Sequence, residues 1–264
     1  MVLKKISIPV LLLSLIVDFP ILADEMYQFE GDLSFSKPYM FISLGHNCWQ
    51  AQATRRPEER QDLKDGAIES RSTRFHGLRD AAFPFDWLFT LDVDKLVLCL
   101  DEHFKHFLDE SCFVRDGGQS HITNVYYDFK FTHDWPFHWA TPVNDERHRA
   151  QLDYIKEKYE RRIDRFNSLK NYKGKVFFMR SFEYASDYQY GPQKIRDALR
   201  RYFPDLNLTL VIVNRTDISI FQWGPVEGVK QYFRPHDLTN FGAYDSIFND
   251  LLKDEQRNKA QEAQ

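Results

Sequence analysis

The sequence predicts an α/β protein, a mostly parallel sheet flanked by helices in a Rossmann-like, three-layer arrangement. Three observations carry this. Residues 175–179 and 208–213 are continuous apolar runs, which is how strands buried on both faces read. Between them lies residues 192–202, a helical stretch with Pro192 suited to a first turn, so the segment reads strand, helix, strand. Residues 39–44 form an earlier apolar run that ends at Gly45 and would join the same sheet.

The first residues behave differently from the rest. Lys4 and Lys5 precede an apolar stretch over 6–17, broken only by Ser7, Pro9 and Ser14. Asp18 interrupts it, and Ile21-Leu22-Ala23 puts a small residue before Asp24. An apolar core of about a dozen residues fits a secretory signal and is short for a spanning helix of ~20. Residues 1–23 therefore read as a signal peptide cut near Ala23, with an uncleaved membrane anchor as the rival. The expected body is secreted or periplasmic: one α/β domain over 39–252, a charged insertion near 56–74 and a polar tail over 253–264.

The other elements follow in order. Residues 24–38 are a polar lead-in. A helix after Cys48 runs to Arg55, with Pro57 just beyond. Pro84, within Phe83-Pro84-Phe85-Asp86-Trp87, holds the residue before it extended. Residues 92–108 read as an amphipathic helix, with Val93, Leu96, Val97, Leu100, Phe104 and Phe107 at helical spacing. Gly117-Gly118 marks a turn, and residues 124–131 alternate as one strand that residues 132–136 end. Residues 147–169 form a long charged helix with Leu152, Ile155, Tyr159, Ile163 and Phe166 on one face. Residues 229–233 are a short strand and 244–252 a closing helix.

Net charge is −4 with both signs mixed, which excludes the basic field that general nucleic-acid binding needs. Phe and Tyr are plentiful, and their first assignment is core and cleft lining. No P-loop and no Gly-rich dinucleotide fingerprint is present, so no cofactor is expected. His103 and His106, and His133 near His138, lack the Cys or Glu pattern of a firm zinc site, so no metal is expected either. Asn207-Leu208-Thr209 and Asn214-Arg215-Thr216 match the glycosylation pattern on or beside a buried strand and are read as chance.

Cys48 is the residue that points to chemistry. A strand, a Gly turn and a helix start would place its sulfur near backbone N–H groups and the positive end of a helix dipole. Both favour the thiolate, which a free Cys, titrating near ~8.5, otherwise forms only in part at neutral pH. The alternative is a small buried residue that packs the first helix on the sheet. The chain has three Cys, an odd count that leaves one unpaired in an exported protein. Either Cys99 and Cys112 form a bridge and leave Cys48 free, or Cys99 is a small buried hydrophobe. His46, two residues from Cys48, is a candidate base. Arg180, at the end of an apolar strand, would bind an anionic group or make a structural pair with Glu183 or Asp86.

Four stretches taken together resemble a known family. They are Ile42-Ser43-Leu44-Gly45-His46-Asn47-Cys48, Phe83-Pro84-Phe85-Asp86-Trp87-Leu88, Phe131-Thr132-His133-Asp134, and residues 158–166 leading to Val176-Phe177-Phe178-Met179-Arg180. Their order resembles the family labelled putative papain-like cysteine peptidases, over roughly residues 39–213. The resemblance implies a hydrolase of peptide or other acyl bonds, with Cys48 as nucleophile and His133 as base. Asp86 is the first candidate to orient the imidazole and Asp134 the second. His46, Asn47, Trp87, Asp134 and Arg180 would line the substrate side. A papain-like α+β fold is the alternative that the label brings, at odds with the alternating strands and helices after residue 170. Two other functions compete. One is a transferase-like or carbohydrate-binding α/β protein, in which the turn from Gly45 to Cys48 holds the ligand. The other is a non-catalytic interaction protein that uses residues 56–74. Membrane contact is expected only through the N-terminal segment if it stays uncleaved.

Overall fold

The computed structural model describes residues 39–46, 83–86, 88–115, 122–131, 145–182, 190–215, 225–234 and 242–262. In chain order the elements are β1 (Tyr39–Ser43), β2 (Phe89–Thr90), α1 (Val93–Asp101), β3 (Phe113–Arg115), β4 (Ile122–Asn124) and β5 (Phe129–Phe131). There follow α2 (Asp145–Ser168), β6 (Lys175–Arg180), α3 (Gly191–Tyr202), β7 (Leu208–Arg215), β8 (Val229–Arg234) and α4 (Gly242–Glu262). Short 3-10 turns occupy Glu110–Cys112 and Leu169–Asn171.

Four of the expected strands build a parallel sheet in the order β1-β6-β7-β8. Its two central strands, β6 and β7, are largely apolar on both faces because both faces are covered. Ile42, Val176, Phe178, Leu208, Leu210 and Ile212 pack into a core with residues of α1, α2 and α3. Phe177, Met179, Val211 and Val213 pack on the other face against Tyr244, Ile247, Phe248 and Leu251 of α4. Full burial of one such side chain is worth about 1.5–3 kcal/mol, so the pattern commits the strands to a two-sided position. Among the described residues the sheet order runs one way, without the reversal that opens a ligand crevice in a doubly wound sheet.

A second sheet is antiparallel, in the order β2-β5-β4-β3. Its inner residues Ile122, Phe129 and Phe131 are fully buried. They join an aromatic cluster in which Phe131 lies 5.0 Å from Tyr159 and 5.8 Å from Phe107, and Phe85 lies 6.0 Å from Phe129. The aromatic excess of the described residues is thus largely core. The architecture is mixed α/β, with a parallel sheet, an antiparallel sheet and four helices among the described residues. It follows neither a Rossmann-like nor a papain-like plan clearly.

Three elements differ from expectation. The single strand over 124–131 is a hairpin, because Asn124 Oδ1 accepts from the Tyr126 and Tyr127 N–H groups, each at 3.0 Å, and turns the chain. The helix over 92–108 is shorter. Asp92 starts it, its carboxylate accepting from Asp94 N at 2.7 Å and Lys95 N at 3.1 Å. It stops at Asp101, and His103 and Phe104 take φ of 51° and 62°. Phe104 and Phe107 reach the core from turns, not from helix. The closing helix continues past Leu252 to Glu262. Cys99 and Cys112 are both buried and both free thiols, so the bridge between them is not made. The N-terminal segment, the insertion over 56–74 and the helix after Cys48 lie outside the described residues. No described helix is long and apolar enough to cross a membrane.

Candidate functional site

The carboxyl ends of β1 and β6 meet the antiparallel sheet at one point. Beyond β1 the chain stays in register for one more bond, Leu44 N to Met179 O at 2.9 Å. It then turns through Gly45 and His46, whose φ values are 79° and 80°. Gly45 is required twice over. Its φ is in the left-handed region, and a Cβ there would stand 2.5 Å from Thr90 Oγ1 and 3.2 Å from the Phe85 carbonyl. His46 has no such freedom, and a left-handed non-glycine residue costs about 1–2 kcal/mol. Its N–H donates to Thr90 Oγ1 at 2.8 Å, which holds the turn in place.

Thr90 is the hub of this corner. Its hydroxyl accepts from His46 N and, at 2.8 Å, from Arg180 Nη1, and it donates to the Leu44 carbonyl at 3.2 Å. One donor and two acceptor sites are all that a hydroxyl offers, so it is saturated. Arg180, fully buried at the end of β6, also donates from Nη1 to Leu44 O at 3.0 Å. Its Nη2 reaches the carbonyls of Thr90 and, at 3.4 Å, Leu91. The guanidinium carbon lies 5.8 Å from the centre of the Phe182 ring. A buried guanidinium keeps its charge, so these carbonyl oxygens offset its loss of water. Arg180 therefore joins the two sheets and fixes the chain that leads to Cys48.

Asp86 sits on the same corner. It is 2% exposed, and its Oδ2 accepts from Phe83 N at 2.8 Å, while Asp86 N donates to Phe83 O at 3.1 Å. The carboxylate thus closes the turn that precedes it. The neighbouring Phe85 carbonyl is what a side chain at Gly45 would strike. Two motifs 40 residues apart in sequence, Gly45-His46 and Phe85-Asp86, are packed together here.

Of the residues singled out in sequence, the structure brings His46, Asp86 and Arg180 to this corner. Cys48, Asn47, Trp87, His133 and Asp134 lie outside the described residues. His46 is 1% exposed. Thr90 was not singled out, since one Thr in a two-residue strand carries no sequence signal. Asn214 was read only as part of a chance glycosylation match. It is fully buried near the end of β7, so its amide is inaccessible to that modification in the folded chain, and neither amide atom has a hydrogen-bond partner among the described residues. A polar residue inside the apolar run Leu208–Arg215 was the signal available for it. Cys99 is fully buried, and loss of water pushes its thiol well above the usual range, with Glu102 adding to the rise. It is no rival nucleophile.

The model of a family described as "putative papain-like cysteine peptidase", a domain of unknown function, matches residues 72–217, more than half of the chain. No curated protein and no solved structure matches.

Proposed function

We propose that this chain, which belongs to the family of putative papain-like cysteine peptidases, is a cysteine-dependent hydrolase of a peptide or other acyl bond. The Cys48 thiolate attacks the substrate carbonyl after His133 takes the thiol proton. His133 then returns the proton to the leaving group, and water releases the acyl enzyme. Asp86 orients the imidazole, and the N–H groups of Cys48 and Trp49 serve the oxyanion.

The observation that carries this reading is the Arg180–Thr90–Leu44 clamp. It fixes backbone that ends at His46, two residues before Cys48, and it packs the Asp86 turn against that backbone. Catalytic groups need rigid support of this kind, since displacements of an ångström cost rate. A second support is the course of β5. Phe89 pairs with Lys130, so Phe131 continues toward the Leu88 end of β2 and the Asp86 turn, and His133 follows two residues later in sequence. The mixed α/β architecture does not stand against the reading, since a fold does not fix a function. The same catalytic constellation recurs on unrelated folds. Export through residues 1–23 and a catalytic unit over 39–252 complete the proposal.

The test is thiol labelling of the native chain, read residue by residue by mass spectrometry. Cys99 and Cys112 are buried and supply a slow background. Cys48 should label far faster than an ordinary thiol near neutral pH, and His133→Ala should remove that advantage. Labelling of Cys48 at the rate of a free thiol, unchanged in His133→Ala, sinks the hydrolase.

A further inference from the structure

A second group of reactive side chains lies where α1 gives way to β3. We propose that His106, Asp109 and Cys112 bind a divalent transition metal ion of the zinc class, at a site independent of the Cys48 reading. One ligand atom from each residue lies within 4.8 Å of the other two, and His106 Nδ1 is 3.4 Å from Asp109 Oδ2. Zinc bonds of about 2.0–2.3 Å in a tetrahedron separate neighbouring ligands by roughly 3.3–3.8 Å. The His–Asp edge already has that length, and the thiol, within 4.8 Å of both, needs an approach of at most roughly 1 Å.

The sequence hid this site because His106 was paired with His103 on a continuous helix. The helix ends before either residue, and the His103 ring packs at a tilt on Tyr202, 4.8 Å between ring centres. The turns that replace it bring the spacing His-x-x-Asp-x-x-Cys onto one surface. The backbone there is fixed on several sides. His106 N donates to the Tyr127 hydroxyl at 3.2 Å, and His106 O accepts from Asn124 Nδ2 at 2.7 Å. Cys112 N donates to Asp109 O at 3.0 Å, and Cys112 O accepts from Val125 N at 2.8 Å. The His106 ring packs on Tyr126, 4.4 Å between centres.

Ligand chemistry and charge agree with the assignment. Imidazole, carboxylate and thiolate together suit zinc better than magnesium or calcium, which take oxygen alone. One carboxylate and one thiolate neutralise a divalent ion, and Glu102, held by the Tyr126 and Tyr127 hydroxyls, adds negative potential nearby. Cys112 is buried, whereas the His106 and Asp109 side chains are 25% and 39% exposed. An ion thus has an entry path, and water can fill the fourth position. Binding displaces the thiol proton to solvent and forms the metal–sulfur bond with no change of oxidation state. The ion would tie the turns after α1 to the start of β3 and stabilise the folded chain.

The probe is Co(II) added to the reduced full-length chain, with a non-thiol reductant that binds metal weakly. One equivalent should give a near-ultraviolet thiolate-to-cobalt charge-transfer band that Zn(II) abolishes. Cys112→Ser should remove the band. Asp109→Asn, which keeps the side-chain oxygen that accepts from Ser111 N at 3.0 Å, should weaken cobalt binding at least ~100-fold, beyond the 10–100-fold typical of outer-shell changes. Cys48→Ser should leave the band intact, and this separates the site from the proposed nucleophile. Circular dichroism shows that each variant is folded. No band with folded wild type, a band that persists in Cys112→Ser, or one lost in Cys48→Ser overturns the assignment.

Discussion

Replacing Thr90 by Val isolates the corner where the two sheets meet. The shapes are nearly the same, so the loss is one hydroxyl. In the native chain that hydroxyl accepts from His46 N and Arg180 Nη1, both at 2.8 Å, and donates to Leu44 O. Leu44 O keeps Arg180 Nη1 at 3.0 Å, so the carbonyl remains served. The buried His46 N–H loses its acceptor, at about 1–3 kcal/mol, and Arg180 loses a charge-assisted bond of about 1.5–3 kcal/mol. Allowing for relaxation, the expected cost is about 3 kcal/mol, a large share of the 5–15 kcal/mol that holds a typical domain together. Equilibrium urea unfolding should show a lower midpoint at unchanged slope, and Tm should fall by about 6–12 °C at about 2–4 °C per kcal/mol. Thr90→Ser is the control. It retains the hydroxyl and loses one methyl, so about 1 kcal/mol is expected. A Val variant within about 0.5 kcal/mol of wild type, the usual span of a neutral surface change, or a Ser variant as unstable as the Val variant, refutes the hydroxyl's role as hub.

Gly45→Ala should cost at least about 2 kcal/mol by denaturation, from a left-handed φ and a contact that overpacks Thr90. Gly228→Ala, also left-handed but with no atom nearer than 3.5 Å to the added carbon, should cost only the conformational part; equal losses would remove the steric argument. Asn214→Leu should leave stability unchanged or raise it by up to about 3 kcal/mol, because neither amide atom has a partner to lose among the described residues. A clear loss in the ligand-free chain would mean the amide is bonded. The Tyr127 hydroxyl, donating to Glu102, holds that carboxyl below the ordinary glutamate range, with Tyr126 adding to the effect. A depressed folded value gives stability that is present above the unfolded value and is lost as pH falls through the folded one. Tyr127→Phe should therefore flatten the acid limb of a plot of unfolding free energy against pH, and an unaltered limb would contradict the assignment.

The parallel sheet was legible because burial on both faces leaves an unbroken apolar run, as in Lys175–Arg180 and Leu208–Arg215. The antiparallel sheet was not, because strands of two or three residues are shorter than the repeat by which alternation is recognised. Phe104 and Phe107 kept helical spacing while the backbone left the helix, since turn residues can fill the same core positions. At the corner, the sequence marked Gly45, Asp86 and Arg180 as special. It left Arg180 open between binding a substrate anion and a structural pair with Glu183 or Asp86. The bonds described run to Thr90 and to main-chain carbonyls, partners that no residue pattern names, and Glu183 lies outside the described residues. The His106 cluster escaped because its spacing acquires meaning only once the helix is known to stop.

β1 and β6 are neighbours in one sheet, yet residue 39 pairs with residue 175, and the whole antiparallel layer is threaded between them. On a ribosome the opening strand emerges long before its partner exists. It must wait, apolar and unpaired along its length, while more than a hundred residues are made. Pairing β1 with β6 closes the longest loop in the parallel sheet, which loop-closure entropy is expected to make slow. Until then the Gly45–His46 turn has no β6 to receive it, so a half-made chain would lack the support around Cys48.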